Sequence, residues 1–154
     1  MKFSTKEDID APIDAVFAMM CDFETFERAA MRRGAEVRRT DTRQEAGVGL
    51  CWHAAFSMRG KRRQVEIEMV TFDSPNEIVL ECRSEGLLTM MTLELVALSE
   101  NRTRLSIAFD LKPLNLSARL LVQSLKLAKA SLTKKFKLRV ADFARTVEER
   151  HSKA

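Results

Sequence analysis

The stretch DIDAPIDAVFAMMCDFETFERAA, residues 8–30, predicts the end of a strand followed by two short helices. Pro12 suits the first turn of a helix, where its missing N–H leaves no hydrogen bond unmade. Asp22 can cap a second helix, whose apolar side chains begin at Phe23. The first helix has one apolar face with members three or four residues apart, namely Ile13, Val16, Phe17 and Met20. Both helices therefore need a core to pack against.

Strand patterns lie on both sides of these helices. Residues 2–9 alternate, with Phe3, Thr5, Glu7 and Ile9 on one face. Later in the chain, six strands joined by short turns are predicted, which is the pattern of an antiparallel meander. These strands are AEVRRTDT (35–42), VGLCWHAAFSM (48–58), QVEIEMVTF (64–72), EIVLECRSE (77–85), LLTMMTLELVAL (87–98) and TRLSIAFDL (103–111). The basic segment RGKRR, residues 59–63, is interpreted as a solvated hairpin turn.

A long amphipathic helix is predicted for the C-terminal part of the chain. Pro113 ends the last strand, and Asn115 or Ser117 can cap the helix that follows. Between Leu116 and Glu149 the sequence contains no glycine or proline, and apolar residues recur every three or four positions. At about 1.5 Å per residue this helix is about 50 Å long, so we expect it to pack across the sheet. Its lysines and arginines are interpreted as a solvated face, with weak contact to an anionic membrane as the alternative.

The composition is that of one globular domain covering residues 1–154, with 45% hydrophobic and 31% charged residues. The N-terminus lacks the apolar core of a secretory signal, and no run is apolar enough to span a membrane, so a cytoplasmic location is expected. Cys21, Cys51 and Cys82 are an odd, widely spaced set without a Cys-x-x-Cys pair. We expect buried, reduced thiols rather than disulfides or a zinc site.

The order of these elements resembles the helix-grip fold of the START-like superfamily, which includes polyketide cyclase/dehydrase-like and lipid-transport proteins. The opening signature is carried by Ile9, Ala11, Pro12, Val16, Phe17, Asp22 and Phe26. The stretches LKPLNLSARLLVQSL and VADFARTVEER resemble the closing helix of the family. The resemblance implies an α+β fold with a curved antiparallel sheet of about seven strands. It also implies two short helices after the first strand and a long C-terminal helix across the sheet.

The resemblance further implies an apolar cavity between the sheet and the C-terminal helix. Residue alternation alone cannot distinguish a filled core from a hollow one, because the same apolar side chains serve both. With the resemblance included, the expected ligand contacts on the inner face are Trp52, Phe56, Met69, Leu80, Met91, Leu93 and Phe109, joined by Leu121 and Leu125 from the helix. The indole N–H of Trp52 needs a polar partner if it is buried, and Trp52 serves equally as a core anchor.

Groups able to perform acid–base chemistry are scarce on that inner face. His53 is the first candidate catalytic residue, but it neighbours Trp52 and is expected to point to the opposite side of the strand. A bulge at Gly49 would reverse that expectation. Glu81, Glu94 and Asp110 also fall on the outer face, and neither a metal-ligand cluster nor a phosphate-binding loop is present in the sequence. The sequence therefore favours binding over catalysis, with no cofactor and no metal.

Three functions remain open at this point. The first is binding or carriage of a small hydrophobic molecule, lipid-like, isoprenoid or aromatic-polyketide. The second is a polyketide cyclase or dehydratase, in which the protein folds the substrate and supplies one acid or base. The third is a quinone-binding chaperone that docks on a membrane through its basic residues. Nucleic-acid binding is disfavoured, because no exposed aromatic side chains are expected between the basic ones. The sequence leaves the oligomeric state open.

Overall fold

The computed structural model describes residues 1–153. Within this range the elements are β1 (Lys2–Ile9), α1 (Ile13–Met20), α2 (Phe23–Arg32), β2 (Glu36–Arg39), β3 (Cys51–Met58), β4 (Lys61–Asp73), β5 (Glu77–Ser84), β6 (Leu87–Ser99), β7 (Arg102–Pro113), α3 (Leu116–Leu127) and α4 (Lys129–Lys153). None of these helices has the length and apolar character needed to cross a membrane.

The seven strands form one antiparallel sheet in the order β1-β7-β6-β5-β4-β3-β2. Strands β2 to β7 pair with their neighbours in chain order, and β1 pairs with β7. Short turns at Arg59-Gly60 and Glu85-Gly86 join neighbouring strands with positive φ at both residues, as tight hairpin turns require. The predicted meander and the α+β helix-grip fold are confirmed.

The inner face of the sheet carries an apolar row that crosses five strands. Its members lie directly opposite one another in the register, in the order Met69, Leu80, Met91, Phe109 and Phe3. The outer face instead carries ion pairs such as His53 with Glu66, and Arg83 with Glu68. The two-residue period of a strand thus separates a core-facing side from a solvated side.

Helices α1 and α4 cover one part of the inner face. Val16 and Phe17 of α1 are buried in the same cluster as Val140, Ala144 and Val147 of α4. This packing gives the apolar face of the first helix the partner that its spacing requires.

Asp22 stands at the N-cap of α2, as expected. However, its carboxylate accepts a hydrogen bond from the Thr25 hydroxyl at 2.7 Å rather than capping a backbone N–H. The predicted cap position is therefore correct, and the predicted capping bond is not formed.

The single C-terminal helix predicted for residues 116–149 is wrong in one respect, because the helix is broken at Ala128. There φ is −102° and ψ is 12°, the Ala128 N–H donates to the Leu125 carbonyl, and the helix restarts when the Leu132 N–H donates to the Ala128 carbonyl. The two helices pack on different surfaces: α3 buries side chains against the end of β7, whereas α4 lies along β1. Packing, rather than a helix-breaking residue, thus produces the break.

Candidate ligand pocket

A pocket of about 120 Å³ lies between the inner face of the sheet and α3. We call it the α3 pocket. Its apolar lining residues are Phe56, Met58, Val65, Leu87, Ala118 and Leu121, and its polar ones are Arg63, Ser84, Glu85, Thr89 and Ser117. Strands β3 to β6 form its floor, and the first turns of α3 form its roof.

Arg63 places a guanidinium in the α3 pocket. It lies directly opposite Phe56 on β3 and has the same parity in β4 as Val65, so its side chain leaves the strand on the inner face. Its Nε donates to the Met58 carbonyl at 3.4 Å, and the ion pairs within residues 1–153 leave it without a carboxylate partner. Glu85, the acidic residue of the pocket, pairs with Lys61 at 3.0 Å. The pocket therefore combines apolar walls with one unpaired cation.

The start of α3 is anchored to the turn between β5 and β6. The Gly86 carbonyl accepts a hydrogen bond from the Leu114 N–H at 2.7 Å. A side chain on Gly86 would put its Cβ 2.0 Å from the Asn115 amide nitrogen, and φ is +81° there, so only glycine fits. Asn115 in turn caps α3, because its Oδ1 accepts from the Ala118 N–H at 2.8 Å, and it is one of the two caps that the sequence predicted.

The remainder of α3 is held by few contacts. Ala118, Val122 and Leu125 are buried, in part against Leu111 of β7. One exposed hydrogen bond, from Arg59 Nη1 to the Ser124 hydroxyl at 2.7 Å, ties the helix to the hairpin turn between β3 and β4. Helix α3 is thus anchored at its start and held by few contacts along the rest of its length.

The nine predicted ligand contacts fall into three groups. Phe56 and Leu121 line the α3 pocket. Leu80, Met91, Leu93 and Phe109 are half-buried on the inner face, where Phe109 stacks on Phe3 at 4.9 Å between ring centroids. Trp52, Met69 and Leu125 lie in packed core clusters. Their role as ligand contacts stays a prediction for all nine.

Trp52 is enclosed by two different partners. It is only 6% exposed, and the ring of Phe23 meets it edge-on with centroids 5.4 Å apart. The Arg39 guanidinium stands 5.4 Å from the centre of the indole, within the range of a cation–π contact. Trp52 therefore links α2 to the sheet.

Asp41 fixes the position of Arg39 and of the start of β3. Its carboxylate accepts from Arg39 Nε at 2.8 Å and Nη2 at 2.6 Å. It also accepts from the backbone N–H groups of Arg43 and Cys51, each at 2.8 Å. The hydrogen bonds from Arg39 hold the pKa of the Asp41 carboxyl well below its usual range.

His53 lies on the outer face and pairs with Glu66, its cross-strand neighbour. Gly49 precedes β3 instead of interrupting it, so the parity of the strand is not shifted. In the register Glu81 lies opposite Met90, and Asp110 opposite Lys2, outside the apolar row. The expectation that His53 faces away from Trp52 is confirmed.

Cys82 has the parity of Leu80 and lies opposite Ile67. Burial raises the pKa of its thiol to about 11. At neutral pH the thiol is protonated and acts as a small apolar group.

Sequence reasoning missed Arg63 as a pocket residue. The segment RGKRR was interpreted as a solvated turn because its charges are consecutive. The signal that could have identified Arg63 is the alternation Arg63, Val65, Ile67, Met69, which puts it on the apolar side.

No family model and no curated protein matches the sequence of this chain. Solved structures do match. Norcoclaurine synthase from Thalictrum flavum, solved as a point mutant with a transition-state analogue, is 12% identical with a TM-score of 0.69, and the match covers 97% of this chain and 95% of that one. An aromatase/cyclase from Streptomyces is 13% identical with a TM-score of 0.68, covering 97% and 94%. A START superfamily protein from Mycobacterium smegmatis is 11% identical with a TM-score of 0.58, covering 89% and 97%.

These structures share the fold over nearly the whole chain, at identities too low to carry over an activity. The protein has a START-like, helix-grip fold, and its structural neighbours include an aromatase/cyclase, a norcoclaurine synthase and a START superfamily protein.

Proposed function

We propose that this START-like protein binds a small, mainly hydrophobic molecule with one acidic group in the α3 pocket. The observation that carries the proposal is the unpaired Arg63 guanidinium among apolar walls. A partly buried guanidinium without a carboxylate favours an anionic partner, and a carboxylate can accept two parallel hydrogen bonds from it. Fatty acids and aromatic carboxylic acids have this combination of an apolar body and an acidic end.

The size of the pocket limits what enters without movement. At about 120 Å³ it is slightly smaller than a cavity that takes benzene, about 150 Å³. Pockets for whole drug-sized ligands begin at about 300 Å³. One ring or the end of a chain therefore fits beside Arg63, and a longer ligand requires α3 to move away from the sheet.

The proposed protein is a binding protein rather than an enzyme, and its proposed location is the cytoplasm. Glu85 is the acidic residue of the pocket, and its carboxylate is paired with Lys61. This pairing supports a binding function over an enzymatic one in which Glu85 would transfer a proton. The three free cysteines support a reducing compartment, and we propose the cytoplasm.

Replacing Arg63 with methionine tests the proposal. The probes are cis-parinaric acid and its methyl ester, which share the chain and differ in charge, followed by their fluorescence. We expect the wild type to bind the acid more tightly than the ester. We expect Arg63→Met to weaken acid binding by about 10- to 100-fold, the value of a charge-assisted hydrogen bond, and to leave ester binding unchanged.

The matched control is Arg62→Met. Arg62 is the preceding residue, is exposed and pairs with Glu36 at 2.9 Å. The control substitution therefore removes the same charge outside the pocket. Equal acid binding by wild type and Arg63→Met would contradict the role of Arg63. If neither probe binds, and native mass spectrometry of protein purified without delipidation finds no bound molecule, the binding function itself is wrong.

A further inference from the structure

Helix α3 and the first half of α4 carry the excess positive charge of the protein. Residues 111–141 contain eight basic side chains and no aspartate or glutamate, whereas the rest of the chain contains 18 basic and 22 acidic ones. All eight are exposed: Lys112, Arg119, Lys126, Lys129, Lys134, Lys135, Lys137 and Arg139. The net charge of +4 therefore comes from this segment, because the rest of the chain is slightly acidic.

The same region exposes a leucine row, defined as Leu116, Leu120 and Leu127. These side chains are 72%, 59% and 93% exposed. At 3.6 residues per turn they lie within an arc of about 40° on one face of α3. The buried residues Ala118, Val122 and Leu125 lie on the opposite face. One side of α3 therefore packs on the sheet and roofs the pocket, and the other side presents leucines to the surroundings.

Basic side chains flank the leucine row and continue past it. Arg119 and Lys126 stand beside the leucines on α3. Beyond the break, Lys129, Lys134 and Lys137 line an open groove of about 720 Å³ together with Leu138 and the acidic Glu7 of β1. The leucine row ends at Leu127, two residues before this groove begins at Lys129.

We infer that α3 and the first half of α4 form a docking surface for an anionic lipid bilayer. Leucines enter the headgroup boundary while the neighbouring basic side chains contact anionic headgroups, as in interfacial amphipathic helices. Charge alone also suits nucleic acid, but this surface lacks its stacking chemistry. Helix α3 contains no aromatic residue, and Phe136 of α4 turns inward onto Phe3 and Phe109. The docking surface does not depend on a ligand in the α3 pocket.

Vesicle co-sedimentation tests the electrostatic part. The probes are phosphatidylcholine vesicles with and without about 30% phosphatidylglycerol, at about 0.05 M and 0.5 M salt. We expect binding only to the anionic vesicles and only at low salt. Each basic residue near such a surface contributes about fivefold in affinity, so Lys126→Gln/Lys129→Gln is expected to weaken binding about 25-fold. The control, Arg32→Gln/Arg33→Gln, removes the same charge from exposed residues at the end of α2 and is expected to bind as the wild type does.

The leucines are tested separately with Leu120→Ser/Leu127→Ser, against Leu98→Ser on the exposed end of β6 as the control. We expect about tenfold weaker vesicle binding for the first variant and no change for the control. Both replace exposed side chains, and equal thermal unfolding midpoints check that folding is intact.

Failure to bind anionic vesicles at low salt, or equal binding to neutral vesicles, would overturn the docking surface. So would undiminished vesicle binding by Lys126→Gln/Lys129→Gln or by Leu120→Ser/Leu127→Ser. Binding to duplex RNA instead of vesicles would also overturn it. Arg63→Met is expected to keep vesicle binding, so failure of the pocket and failure of the docking surface are separate outcomes.

Discussion

Replacing Trp52 with alanine is expected to lower the free energy of unfolding by about 4 kcal/mol. The indole is nearly fully buried, meets Phe23 edge-on and carries the Arg39 guanidinium on its face. Its removal leaves a cavity where α2 joins the sheet and deletes both contacts. Chemical denaturation followed by far-ultraviolet circular dichroism measures the loss without relying on the fluorescence of the only tryptophan.

Two other variants provide controls for the loss of stability in Trp52→Ala. Trp52→Phe keeps an aromatic ring and is expected to cost about 1–2 kcal/mol. Phe26→Ala removes a ring of the same helix that is 44% exposed and touches only the edge of the core at Phe143, and it is expected to cost about 1 kcal/mol or less. A loss of under about 1 kcal/mol for Trp52→Ala would contradict the packed core, and would favour the alternative that Trp52 faces open space for a ligand.

Replacing Asp41 with alanine is expected to lower the free energy of unfolding by about 3 kcal/mol. The change deprives Arg39 and the N–H groups of Arg43 and Cys51 of their acceptor. The control is Glu45→Ala in the same loop, which removes an exposed carboxylate of equal charge and is expected to have little effect.

The contribution of Asp41 has a defined pH dependence. Its pKa in the folded protein lies below the value of 3.8 expected when it is unfolded. The stabilisation is therefore complete above that value and is lost as the pH falls towards the folded pKa. Unfolding free energies of wild type and Asp41→Ala are expected to differ equally at about pH 7 and pH 5, and to converge only in strong acid. Convergence already at about pH 5 would show that Arg39 does not lower the pKa of Asp41.

Much of the fold can be predicted from the sequence because it depends on short-range patterns. Alternation correctly assigned Trp52 to the inner face and His53 to the outer face, and the turn at Gly60 fixed the register between their strand and the next. A cap at Asn115 or Ser117 was also predictable, since polar residues there follow Pro113 and precede the apolar spacing of α3, and the structure shows that Asn115 forms it.

The parts that were missed depend on tertiary packing. Nothing near Ala128 disfavours a helix, and the break arises because α3 and α4 bury side chains on different parts of the sheet. The pocket could not be predicted either, because Phe56 and Met69 are both apolar residues at inward-facing positions of alternating strands. One lines free space and the other is completely buried, and only the three-dimensional arrangement of their neighbours separates them.

The break at Ala128 has a kinetic consequence. Because α3 has its own ends, it can detach by giving up the contacts of Ala118, Val122 and Leu125 and the Arg59–Ser124 hydrogen bond, while the sheet and α4 stay folded. Local openings of this kind occur far more often than global unfolding. For the ligand binding proposed above, the residence time of a bound molecule is then set by the opening rate of this three-turn helix, and ligand exchange is expected to be much faster than global unfolding.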